Sequence, residues 1–219
     1  MALCDPVKRL ARNWINHVAY PIFLRSCGVA GVLGGVLFVA WGYIDRPNIP
    51  HNLIAVIHLL ALVVPALFLA VVVGLCVLLL HSLWRSRLRV LGWMGMALAL
   101  YGSGWGVVGA IVGGESVWVY FAKRGWPHYL SDWLLFMLSG LTLIGIATVR
   151  EKPLRGIGAL ALAMGAFGWV YDLTDTGAVL EARSVHIGFG LLFSLGWAAL
   201  GVGLLARGTR RAQRPHSGG

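Results

Sequence analysis

His58 and His186 are the residues of this chain best placed to do chemistry. Each lies seventeen residues after the start of an aromatic pair, Trp41-Gly-Tyr43 or Trp169-Val-Tyr171, and the two copies stand 128 residues apart. Each pair closes a long apolar segment, and each histidine sits near the start of the next. An imidazole at that depth can ligate a metal, relay a proton or hold haem as an axial ligand. It can also give one N–H to a neighbouring carbonyl and do nothing more. The rings of Trp41, Tyr43, Trp169 and Tyr171 suit a membrane headgroup belt, and equally the walls of a cleft for a cationic or flat solute. Asp45 and Asp172 follow the pairs within two residues. They would stand at the mouth of such a cleft, as solvated caps or as a negative potential that favours cations.

These residues must be held by apolar elements. Apolar types make up 58% of the 219 residues and charged types only 12%, against about 45–50% and 25% in ordinary domains. A soluble domain could not hide that much apolar surface. Six windows, about 22–44, 53–80, 90–112, 133–149, 154–171 and 184–206, are long enough to cross ~30 Å of hydrocarbon. The expectation is an all-α integral membrane protein, multi-pass in the cell membrane, with a six-helix transmembrane domain over 22–206.

Flanking that domain, residues 5–20 read as an amphipathic interfacial helix within an N-terminal segment 1–21. Asp5-Pro6 starts it, Val7, Leu10, Ala11, Trp14, Ile15 and Val18 share one face, and Lys8, Arg9 and Arg12 the other. Its partner would be an anionic inner leaflet. The basic segment 207–219, ending in Ser-Gly-Gly, is expected to be a disordered tail. Pro65 should kink the second span. The first apolar run lacks a small-x-small site before Trp41, so no removable leader is read there.

Charge sets the orientation. Fourteen of the eighteen basic residues fall on the side of the N-terminus and only four (Arg46, Lys123, Arg124, Arg183) on the other. Six of the eight acidic residues fall opposite: Asp45, Glu115, Asp132, Asp172, Asp175 and Glu181. Both termini should be cytoplasmic. The net charge of +10 thus serves topology, and no nucleic-acid partner is read from it.

The spans pair as three hairpins, and weak matches between them raise the reading of an internal repeat whose units share one orientation. Glycines at Gly28, Gly31, Gly34 and Gly35, and again at Gly102, Gly106, Gly109 and Gly113, give close-packing helix faces. Cys4, Cys27 and Cys76 form no metal or disulfide framework. No nucleophile elbow, zincin helix or phosphate loop is present, which points away from an enzyme.

Three functions follow. The first is binding or translocation of a small solute or cation by an outward site of His58, His186, Trp41, Tyr43, Trp169, Tyr171, Asp45 and Asp172. The second is a structural or assembly subunit whose glycine faces meet a partner membrane subunit or a second copy of the chain. The third is a b-type haem oxidoreductase with His58 and His186 as axial ligands. The identity of any metal or cofactor is not legible in these residues.

Overall fold

Six α-helices carry the described part of the protein, which in this computed structural model comprises residues 19–44, 54–83, 88–113, 133–152, 154–175 and 183–212. They are α1 (Tyr20–Ile44), α2 (Ile54–Leu83), α3 (Arg89–Gly113), α4 (Trp133–Thr148), α5 (Arg155–Asp175) and α6 (Arg183–Ala212). No strand occurs among the described residues. The helices are runs of Leu, Ala, Val and Ile whose backbone polar groups are satisfied internally, as an apolar surround demands. Four of them, α1, α2, α3 and α6, are long and apolar enough to cross a membrane; α4 and α5 carry shorter apolar stretches over 134–148 and 155–170.

Helices consecutive in the chain pack on one another, and α6 returns to pack along α1, closing a ring in which α2 also touches α6 directly. The contacts give the directions. Gly74 of α2 sits against Cys27 of α1, while Phe68 sits against Gly34, so the pair is antiparallel. On α6, Gly208 abuts Pro21 and Gly201 abuts Gly28 and Gly31, and the carbonyl of Ser194 abuts Gly35, again antiparallel. The same reading of Gly95 and Gly140, of Gly145 and Leu162, and of Met164 and Gly196 makes α3–α4, α4–α5 and α5–α6 antiparallel. A single buried core runs through the ring, from Leu24 and Phe38 through Val64, Phe68 and Leu75 to Met137, Leu141, Ala161, Phe193, Trp197 and Leu204.

Between helices in hydrocarbon, water supplies no driving force, so close backbone approach and van der Waals contact must hold them. The glycines provide it. A Cβ at Gly201 would lie 2.5 Å from the Gly28 carbonyl oxygen, and one at Gly35 would lie 2.5 Å from that of Ser194. Gly140 sits directly on the backbone of Ala99, and Gly145 on that of Leu162. The small-residue face of α1 is therefore used inside the chain. Buried hydroxyls add no cross-links: Ser103, Thr148 and Ser194 each donate to the carbonyl four residues earlier, at 2.6, 2.7 and 2.8 Å.

Two boundaries differ from the sequence expectation. α5 runs to Asp175, so Asp172 and Asp175 belong to the helix and not to an acidic loop. No breaker intervenes before Gly177. α6 runs to Ala212, six residues beyond the expected end of the span at 206, because Gly208 packs on Pro21 and Arg25 and keeps the helix against α1. Pro65 lies buried inside α2, which continues on both sides of it. The expected helix over 5–20 lies outside the described residues up to residue 18, as do the remainder of the tail from 213 and Asp45.

Gly201→Val should therefore separate α1 from α6. It is expected to lower stability in detergent by at least the ~1–3 kcal/mol typical of overpacking, read as loss of helicity on heating. Gly104→Ala, where no neighbouring atom lies within 4 Å, should be tolerated and gain up to about 1 kcal/mol of helix propensity.

Candidate functional site

The best-defined feature near the expected site is a cluster of four aromatic side chains on three helices. Phe68 of α2 stacks on Trp197 of α6, centroids 4.1 Å apart and planes 8° from parallel. Phe193, one turn earlier on α6, meets Phe68 and Trp197 edge-on at 6.1 and 6.0 Å. Phe38 of α1 closes the group, 5.3 Å from Phe193 and 5.9 Å from Phe68. Offset and edge-to-face geometries of this kind suit the ring quadrupoles. Gly34 makes the room: a Cβ added there would lie 3.1 Å from the Phe68 ring.

Phe68, Phe193 and Trp197 are fully buried and Phe38 nearly so. The indole N–H of Trp197 is enclosed with no hydrogen-bond acceptor. Phe68 is fourteen residues from the start of α2 and Trp197 fourteen from the start of α6, about 21 Å along each axis. The cluster thus fills the ring near mid-depth. No signal in the sequence singles it out, since four aromatics among apolar neighbours look like ordinary core; only the spacing of Phe193 and Trp197, four apart within one span, hints at a shared face.

This cluster also fixes helix register at the end where the histidines lie. α2 and α6 run parallel, with Phe68 beside Trp197 and Gly74 beside Leu204. Ten residues back from Phe68 is His58, and ten back from Trp197 is Ile187, next to His186. α5 runs antiparallel to α6, with Met164 against Gly196 and Ile157 close to Gly203. Eight residues on from Met164 is Asp172, and eight back from Gly196 is Gly188, two from His186. At 1.5 Å per residue, the helix positions of His58, His186 and Asp172 share one level to within about 3 Å. By the α1–α6 register, Trp41 comes level with Gly190, and by the α5–α6 register Trp169 comes level with Leu191. Both aromatic positions are therefore slightly deeper in the helices than those of the histidines.

Helical periodicity adds the faces. Position 186 is seven residues before Phe193 and eleven before Trp197, so it continues a buried stripe. Position 58 is seven before Pro65 and fourteen before Val72, both buried. Position 172 is seven after Gly165 and four after Gly168, which pack on Thr142 and Leu138 of α4, whereas Met164 and Ile157 are the α5 residues that meet α6. Trp169 is half-buried against the core. The side chains of His58, His186, Trp41, Tyr43, Tyr171 and Asp172 lie outside the described residues.

Charge divides the two ends of the ring. Every lysine or arginine with a described side chain, namely Arg25, Arg89, Arg150, Lys152, Arg155, Arg207 and Arg210, sits where α1, α3 and α5 begin and α2, α4 and α6 finish. The histidine level lies at the opposite end. Among the described side chains no group of three His, Cys, Asp or Glu residues could hold a metal ion. Cys27 and Cys76 are free and buried, and Cys27 fills the space over Gly74. In comparisons with protein-family models, curated proteins and solved structures, nothing matches this chain. Its apolar helices fit a membrane protein.

Truncating the central ring tests how much the cluster holds. Trp197→Ala should cost about 3–5 kcal/mol in a denaturant titration followed by helicity. Trp197→Phe should cost much less, because the N–H it removes has no acceptor and leaving such a donor buried costs roughly 1–3 kcal/mol.

Proposed function

We propose that this is a six-span membrane protein, with both ends cytoplasmic, that binds a small solute or cation at the outward end of α1, α2, α5 and α6. The observation that supports it best is the common level of the helix positions of His58, His186 and Asp172, reached through two helix registers, α2–α6 and α5–α6, that depend on different contacts. A histidine or aspartate at this depth of an apolar bundle is costly without a partner. Three of them at one depth are therefore better explained by a shared occupant than by separate packing roles.

The six spans and their orientation rest on charge. The basic side chains gather at one end of the ring, as they do on the cytoplasmic side of a membrane. α4, at sixteen residues, spans about 24 Å, and local thinning of the bilayer accommodates such a mismatch at modest cost. In this reading the protein binds its solute and does not conduct it. The stacked Phe68 and Trp197, with Phe38 and Phe193, lie below the site, and the buried hydroxyls around the ring are spent on their own helices. The assembly reading loses one of its motives, because the α1 glycine face is occupied by α2 and α6.

Two measurements test this. In a Cys4→Ser background, Asn48→Cys and Gly177→Cys should react with an impermeant maleimide on intact cells. Ala2→Cys and Ser217→Cys should react only after permeabilisation; the reverse pattern would invert the protein and remove the outward site. Titration of purified protein with tetramethylammonium and with divalent cations should change its tryptophan fluorescence, an effect that Trp41→Phe and Trp169→Phe reduce. Silence towards every one of these probes would retire the binding reading.

A further inference from the structure

We infer that the basic end of the α1–α6 groove holds one anionic phospholipid of the inner leaflet, its phosphate on the Arg25 guanidinium and its acyl chains along the outward side of the two helices. The inference shares the orientation of the reading above and needs nothing of the outward site.

Arg25 is seated by the protein. A Cβ added at Gly208 of α6 would lie 2.9 Å from the Arg25 Cγ and 2.8 Å from the Pro21 carbonyl oxygen. The arginine stem therefore crosses α6 over bare backbone, and a larger residue at 208 would push it off. The side chain is half-buried, and its Nε is enclosed with no acceptor. A snorkelling arginine reaches headgroup water along a free stem; this one is pinned between two helices.

Its charge has no carboxylate to meet. Neither α1 nor α6 contains an aspartate or glutamate, and α6 adds Arg207 and Arg210 at the same end. Glu151 is the one acidic residue among the described ones at this end. It lies in the turn between α4 and α5, whereas α1 packs on α2 and α6. The hydroxyls next in sequence to Arg25 and Gly208 are committed to their own helices: Ser26 donates to the Ile22 carbonyl and Thr209 to that of Leu205, at 3.1 and 2.9 Å. A partly desolvated guanidinium is costly unless an anion compensates it. Its planar fork of N–H donors matches two oxygens of a phosphate, and the anion present at this depth of a membrane is the lipid phosphate.

The groove supplies the rest of a lipid site. Val29 and Val36 follow Arg25 by four and eleven residues, on its face of α1; Val202 and Leu195 precede Thr209 by seven and fourteen, on one face of α6. All four are exposed. On both helices they lie on the side turned away from α2, which is met by Cys27 and Gly34 of α1 and by Trp197 and Leu204 of α6. Charge alone attracts a diffuse layer of acidic lipid. A seated guanidinium at the foot of two apolar rails holds a single molecule.

The test uses full-length protein reconstituted with equal amounts of phosphatidylglycerol and phosphatidylcholine, then weighed by native mass spectrometry from mild detergent. One phosphatidylglycerol per chain should stay bound, and phosphatidylcholine should not. Arg25→Gln should lower that retention at least fivefold, with helicity unchanged. Arg25→Lys, which keeps the charge and loses the fork, should retain an intermediate amount. Arg89→Gln and Arg155→Gln, which remove exposed cations from other helices, should leave it unchanged. In the unmodified protein, spin-labelled phosphatidylglycerol should show a motionally restricted fraction that unlabelled phosphatidylglycerol displaces and phosphatidylcholine does not. Equal retention of the two lipids overturns the inference, as does retention that survives Arg25→Gln and is lost on replacing Lys8, Arg9 and Arg12. Displacement by inorganic phosphate overturns the lipid as the source of the anion. A reversed maleimide pattern with phosphatidylglycerol still retained overturns the inner-leaflet assignment and upholds the Arg25 site, so the two failures are told apart.

Discussion

The ring depends on one contact, the backbone-to-backbone approach of α1 and α6. Gly28, Gly31 and Gly35 on one helix meet Gly201 and the Ser194 carbonyl on the other, with no space for a Cβ at either side. In an apolar solvent this proximity is what two helices can gain from each other, since burial of apolar surface releases no water. Closing the first helix on the last turns a row of hairpins into a ring. It also carries α6 to α2, and so makes the Phe68–Trp197 stack geometrically available.

That stack in turn imposes register. Two parallel helices in contact can slide by a residue or two if only methyl groups meet. A ring pair at 4.1 Å with nearly parallel planes, flanked by two edge-on neighbours, leaves far less freedom. The level shared by positions 58 and 186 is a consequence of this packing some 15 Å away along each axis, and that of position 172 follows from Met164 against Gly196. The buried indole N–H of Trp197 is a cost the cluster carries. The rings that enclose it offer area and shape and no acceptor.

Polar chemistry is distributed in the manner an apolar surround requires. Hydroxyls within the ring turn back on their own helices, at Ser103, Thr142, Thr148 and Ser194. Cations gather at one end and the ionisable positions of the proposed site at the other. The middle of the ring is left to apolar and aromatic side chains, which separates the two ends electrically as well as sterically.

The sequence alone determined the class of protein, because 58% apolar content in windows of membrane length admits little else. It placed the six helices to within a few residues, since helices in hydrocarbon are bounded by where the apolar runs stop, at Asp45-Arg-Pro47 or Arg150–Pro153. It missed the true ends of α5 and α6. Asp172, Asp175 and Arg207 look like loop residues by type, yet helical hydrogen bonding continues through them where a neighbouring helix supports the backbone. It also marked His58 and His186 by spacing, but spacing along a chain carries no information on which helices touch. Only the tertiary structure decided that α6 returns to α1 and α2 and that their register equates Phe68 with Trp197. Those outcomes depend on contacts between segments more than a hundred residues apart. The glycines that make them are indistinguishable, in sequence, from the glycine at position 104 that touches nothing.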